Sequence, residues 1–144
     1  MPQEPIKKFI GKNRFLSNFW PGEVVYEKYR YPSVEHAYQA AKTTDQAARR
    51  AIRFAEKPGQ AKKLGKKVDM RPDWDQIKLQ VMEDLTRQKY TRNPELKAKL
   101  LATGDAELQE GNTWNDTFWG INVKTGEGEN NLGKILMKVR DELR

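Results

Sequence analysis

A predominantly helical α+β fold with a few short strands is predicted by three observations. Trp74, Ile77, Val81, Met82 and Leu85 fall at helical spacing, the strongest periodicity in the chain. The segment through Tyr31 behaves differently, with aromatic and apolar runs broken by Pro and Gly, as in short strands and tight loops. The 144 residues contain no internal repeat, low-complexity tract or linker. That length suits one domain over residues 1–144, able to bury about two thirds of its unfolded surface.

In chain order, "FIGK", "RFLSNFWPG" and "EVVYEKYRYP" read as short strands and loops. Pro32 and Ser33 then open a helix. Ser33 is its N-cap, and Glu35 lies in the first turn, where the helix dipole favours an anion. His36 stands three residues past the cap, so no capping box forms; the histidine is expected either at the surface or behind the residues that contact a ligand. A second helix runs from about Asp45 to Glu56 and stops at "KPG". "GQAKKLGKK" permits one or two further helical turns. The periodic segment after "RPD" follows. In "NPELKAKLLATG", Asn93 is the expected N-cap, Pro94 the first helical residue and Gly104 the stop. "AELQEG" and "NTWNDTFWGINVKTG" read as two short strands around an irregular loop. The final helix buries Leu132, Ile135, Leu136, Val139 and Leu143 on one stripe.

Composition excludes several classes of function. With no cysteine there is no disulfide, thiolate nucleophile or thiolate metal site, and a single histidine makes a zinc site unexpected. No apolar run approaches the ~18 residues of a membrane span, and "MPQEPIKKFIGK" lacks a signal-peptide core. A cytoplasmic protein needing no cofactor is the expectation. The net charge of +7 points to an anionic partner. Much of it comes from Lys57, Lys62, Lys63, Lys66 and Lys67, a cluster that reads first as a solvated helix face and second as a nucleic-acid contact.

Four stretches could carry chemistry. In "YPSVEHAYQAAK", helical rotation of about 100° per residue places Glu35, Tyr38, Gln39 and Lys42 within a third of the circumference. Spacing alone favours an ordinary stripe with a solvated lysine. "LQEGNTWNDTFWG" concentrates Trp114, Trp119, Asp116 and Glu110 with two asparagines, which suits a binding loop as well as a capped turn over core tryptophans. "GEGENNLGK" precedes a helix, but its glutamates repel phosphate and its spacing matches no phosphate-binding fingerprint. In "GKNRFLSNFWPG", Arg14, Asn18 and Phe19 combine a cation, an amide and a ring in a loop entering a strand.

Taken in order, "FLSNFWP", "YPSVEHAYQAAK", "RPDWDQIK", "LLATGDAELQEGNTWNDTFWG" and "NNLGKILMKVR" resemble the YbiA-like or NADAR family, from about Gly11 to Arg140. The resemblance implies a mainly helical α+β fold and N-glycosidase chemistry on N-ribosylated compounds. Family substrates include phosphorylated ribosylamino-pyrimidine intermediates of riboflavin biosynthesis and, in other branches, ADP-ribosylated guanine bases. Glu35 matches the acidic residue of the "EH" motif, Asp116 and Trp119 the "D..WG" motif, and Lys42 the lysine that closes the first helix. "LGKK" departs from the Gly-Arg of many members, which leaves Lys66 open as a substrate contact.

On this likeness Glu35 stabilises the positive charge developing at the anomeric carbon or activates water, with Asp116 as partner acid or orienting group. Trp119 stacks on sugar or base. Lys42 either binds phosphate or forms a Schiff base, the latter requiring an amine whose pKa burial has lowered. Arg14, Asn18, Phe19, Gln39, Arg71 and Trp114 are the candidate substrate contacts. An ADP-ribosyl-base hydrolase and a non-catalytic nucleotide- or nucleic-acid-binding module are the alternatives, the second disfavoured because Glu35, Asp116 and Lys42 stand together.

Overall fold

The computed structural model describes residues 3–144, which group into a central unit, Asn18–Asn93, and a terminal unit formed by residues through Ser17 with Pro94–Arg144.

The central unit opens with an antiparallel hairpin, β1 (Val24–Tyr26) and β2 (Tyr29–Tyr31), registered Val24 to Tyr31 and Tyr26 to Tyr29. Its two-residue turn holds Glu27 and Lys28 at positive φ, as a tight turn matching strand twist requires. The Gln88 side chain stands in for a further strand on β1: its carboxamide accepts from Val25 N–H at 2.7 Å and donates to Val25 C=O at 2.8 Å. A paired edge leaves no free ladder groups there.

Helix α1 (Val34–Ala41) is capped by Ser33, whose hydroxyl accepts the His36 N–H at 3.1 Å. Helices α2 (Gln46–Arg53), α3 (Pro58–Gly65) and α4 (Trp74–Arg92) pack around α1 together with the hairpin, so every residue of α1 is buried. This corrects the surface placement of His36. Its ring bridges the Ser33 hydroxyl at 2.7 Å and the Ala55 carbonyl at 3.0 Å, and burial lowers its pKa. His36 ties α1 to the end of α2 and is a structural residue. The cap of α2 is Asp45, which accepts from Ala47 N–H, while the Gln60 side chain accepts from Glu56 and Lys57 N–H at the start of α3.

Trp74, Val81, Met82 and Leu85 are buried on α4 as the periodicity predicts, and Ile77 is only half-buried. Asn93 stands directly before the helix that starts at Pro94, as expected of its N-cap position, and its side-chain amide also donates to the Lys89 carbonyl at 2.7 Å, closing α4.

Lys89 is fully buried, and desolvation alone drives its pKa down to about 7. The unfolded chain therefore binds more protons than the folded one above pH 7, and stability rises with pH. The rise ends near pH 10, above which buried Tyr90, its pKa raised by desolvation, reverses the sign. Chemical denaturation at pH 7 and pH 9.5 is expected to show this gain, and Lys89→Met to remove most of it. An unchanged slope in the variant would assign the rise to other groups.

In the terminal unit, Gly11–Leu16 forms a 3-10 helix where a loop leading into a strand is expected, with Phe15 and Leu16 buried. Aromatic and apolar content suggests a strand there, but the i, i+3 turn puts the neighbouring pair Phe15 and Leu16 inside and leaves Lys12 and Arg14 outside. Helix α5 (Pro94–Ala102) ends at Gly104, at φ +63°. Strands β3 (Gly111–Asn112) and β4 (Ile121–Asn122) flank the Trp-rich loop as expected and pair in parallel. Helix α6 (Asn131–Leu143) buries Leu132, Ile135, Leu136 and Val139, while Leu143 is half-exposed. Arg140 on α6 donates to the Thr103 hydroxyl and the Ala106 carbonyl, satisfying the chain just past α5. No helix among the described residues is long and apolar enough to cross a membrane.

Candidate active site

In the central unit, Glu35 sits in the first turn of α1 with its side chain buried. Its backbone N–H donates to the Asn18 carbonyl at 3.2 Å, which brings the N-terminal "LSNF" stretch to the head of the helix. The Asn18 side chain itself points to the Met82 sulfur. One turn on, the Gln39 amide donates to Glu35 Oε2 at 3.4 Å. Gln39 Oε1 has no hydrogen-bond partner although it is buried. A buried acceptor without a donor is uncommon and fits a group that meets its partner in a ligand.

The carboxamide is held where it is by Gly65 on α3. A β-carbon at that position would overlap the Gln39 side chain, so a larger residue would displace the carboxamide from its present position.

Lys42 is the C-cap of α1, one turn beyond Tyr38, with Nζ 5.5 Å from the centre of the Tyr38 ring. Tyr38 in turn packs on Trp74, ring centres 5.1 Å apart. The Lys42 pKa is lowered, first by burial, against the opposing pull of the Glu35 carboxylate, and further by Lys62, Lys66 and Lys78. Two members of the basic cluster thus act on the ammonium of Lys42, a role beyond that of a solvated face. Arg71 is brought alongside by its N–H, which donates to the Lys42 carbonyl at 2.7 Å. Its guanidinium is turned to Asp73, contacting both carboxylate oxygens at 2.6 and 3.2 Å. That pairing raises the Arg71 pKa and lowers that of Asp73. A phosphate meeting Arg71 would have to compete with this pair. Phe19 is part-exposed in the same unit.

The terminal unit holds the other predicted residues. Asp116 Oδ1 accepts the N–H groups of Phe118 and Trp119 at 3.2 and 3.0 Å, so one carboxylate oxygen organises the "TFWG" turn. Trp119 stacks edge-on against Phe118, centres 4.8 Å apart. Trp114 is 62% exposed, which excludes the reading of both loop tryptophans as core. Arg14 lies exposed on the 3-10 helix.

Sequence reasoning missed the residue that shapes this loop. Buried Asn112 donates from its amide to Glu110 Oε2 and to the Asp116 carbonyl, and accepts the Asp116 N–H, all near 3.0 Å. Asn130 clamps the loop's base, donating to the Leu108 carbonyl and accepting from Glu110 N–H. Their amides appear in the sequence as loop composition only: Asn112 bonds residues two and four positions away, a pattern shared with many turns, and the Asn130 partners lie 20 and 22 positions away.

A NADAR domain family model matches residues 7–144. N-glycosidase YbiA of Escherichia coli is 39% identical over 132 residues, 89% of this chain and 80% of that protein. An N-glycosidase of Nostoc punctiforme is 38% identical over 134 residues, covering 90% of this chain and 85% of its own length. A Vibrio vulnificus protein named as a riboflavin biosynthesis protein is 41% identical over 131 residues, and the match spans only 35% of it. The solution NMR structure of Escherichia coli YbiA superposes with a TM-score of 0.85 at 34% identity, over 99% of this chain and 87% of that one.

Proposed function

The chain belongs to the NADAR family and is an N-glycosidase, and on that premise we propose that it hydrolyses the ribosyl C–N bond of a phosphorylated ribosylamino-pyrimidine, an early intermediate of riboflavin biosynthesis. The observation that carries this reading is the pairing on α1 of a buried carboxylate, Glu35, with an amine, Lys42, whose pKa burial has lowered. The similarity to a riboflavin biosynthesis protein supports the substrate class.

Breaking the C–N bond develops positive charge at the anomeric carbon, and the leaving nitrogen takes a proton. Water adds to the carbon, and the products are ribose 5-phosphate and the free aminopyrimidine. In this reading Glu35 stabilises the developing charge and accepts the proton of attacking water. Gln39 Oε1, buried and unpartnered, is an acceptor for a sugar hydroxyl. Asp116 and Trp119 carry the family motif in the terminal unit, with Asp116 Oδ1 committed to holding the Trp119 backbone. Asp116 is therefore assigned to positioning and Trp119 to stacking.

A substrate panel read by mass spectrometry tests the proposal, with Glu35→Gln as the control. Release of ribose 5-phosphate from the ribosylamino-pyrimidine, absent in the control, is the expected result. Release of ADP-ribose from ADP-ribosyl-guanine in DNA, with the pyrimidine untouched, would move the substrate to the nucleobase class. Silence on both substrates would overturn the substrate assignment.

A further inference from the structure

Away from the residues just described, the central unit holds a second pocket of about 370 Å³ lined by Tyr29, Tyr31, Gln46, Arg49, Arg50 and Arg53. It shares no residue with the Glu35–Lys42 site. Three guanidinium groups converge on it from two turns of α2, and their partners differ. Buried Arg49 is fixed, with Nε donating to the Thr43 carbonyl at 2.8 Å and Nη1 to Glu27 at 2.7 Å. Arg50 and Arg53 have no carboxylate partner among the described residues; their contacts are with rings. The Arg53 guanidinium lies over Tyr29, 4.1 Å from its centre, and 4.8 Å from that of Phe54.

We propose that this pocket is a binding site for a phosphate monoester. Glu27 matches the charge of Arg49, so Arg50 and Arg53 leave two positive charges, as a phosphate monoester of roughly −1.5 to −2 requires. A guanidinium stacked on a ring keeps its edge N–H groups for an in-plane acceptor and loses little freedom on binding, which suits two-point contact with phosphate oxygens. The volume lies within the roughly 300–1,000 Å³ typical of small-ligand sites, so it admits the phosphate ester of a small organic molecule, and the phosphate group alone fits as well. Tyr29, 46% exposed, supplies aromatic surface for an organic group.

Calorimetric titration with phenyl phosphate and with inorganic phosphate tests the site, since neither carries an N-ribosyl bond for the enzyme to cleave. Saturable binding is expected for wild type, weakened by about tenfold or more in the Arg50→Ala/Arg53→Ala variant. Both side chains reach solvent, so the variant is expected to fold, checked by its melting temperature. Lys42→Ala is expected to leave this binding unchanged, which separates it from phosphate held in the active site. Tighter binding of phenyl phosphate than of inorganic phosphate would identify an organic ester as the ligand, and equal binding the phosphate group alone. Full affinity in the double variant, equal loss in Lys42→Ala, or binding of a thymidine oligonucleotide with both monoesters silent would each overturn the proposal.

Discussion

Glu35→Gln is expected to lower kcat/KM by about 10²- to 10⁴-fold, the usual worth of a positioned acid–base group, while leaving the fold intact. The substitution conserves volume and hydrogen-bonding shape and removes only the charge. Two effects on stability oppose each other. A carboxylate in the first turn gains about 0.3–1 kcal/mol from the helix dipole. Against that, an amide is less costly to bury than an ion. The melting temperature should therefore move by no more than a few degrees, and differential scanning calorimetry beside the kinetic assay separates the two outcomes. Glu35→Ala is a poorer probe, since it also strips Gln39 of its acceptor and opens a void in a helix buried on all sides. A folded Glu35→Gln protein with near wild-type kcat/KM would remove Glu35 from the mechanism.

Local signals were sufficient where the chain solves a local problem. Ser33 and Gly104 act where cap and stop chemistry predicts, because an N-cap hydroxyl or a left-handed glycine is needed whatever lies nearby. The environment of the 31–42 stretch is not a local matter. An amphipathic pattern predicts one wet face, yet α1 is enclosed by three helices and a hairpin. Its carboxylate, imidazole and carboxamide are therefore buried groups that need partners: Gln39 for Glu35, and Ser33 with Ala55 for His36. Spacing placed Glu35 and Lys42 on one face but could not supply the enclosure that gives them chemistry. Asn93 stands between two helices, and its amide closes the first of them on the Lys89 carbonyl, a contact that N-cap preference alone does not reveal. The Asn130 clamp and the parallel pairing of β3 with β4 depend on chain segments meeting, which periodicity does not encode.

Lys42 distinguishes between two mechanisms, and its expected behaviour follows from its surroundings. Lys42→Ala is expected to abolish turnover under either role. Lys42→Arg separates them, because arginine keeps the charge a phosphate needs but offers no neutral amine at working pH. The burial that lowers the Lys42 pKa from the usual 10.5 favours the nucleophile. In that role the amine adds to the ring-opened ribosylamine and expels the pyrimidine nitrogen, leaving an imine that water cleaves. Three results are then expected: Lys42→Arg as inactive as Lys42→Ala, borohydride trapping of a sugar adduct on residue 42 by mass spectrometry, and kcat/KM rising with pH as the ammonium deprotonates. An active Lys42→Arg enzyme, no trapped adduct and activity falling as pH rises would assign the residue to phosphate binding. The two α1 groups also act on each other. The Glu35 carboxylate raises the Lys42 pKa, so Glu35→Gln lowers it further and makes the amine more available. Loss of turnover in Glu35→Gln cannot then arise from a silenced lysine. Imine trapping in that variant should extend to lower pH even as hydrolysis fails, which places Glu35 at the water-dependent step and Lys42 before it.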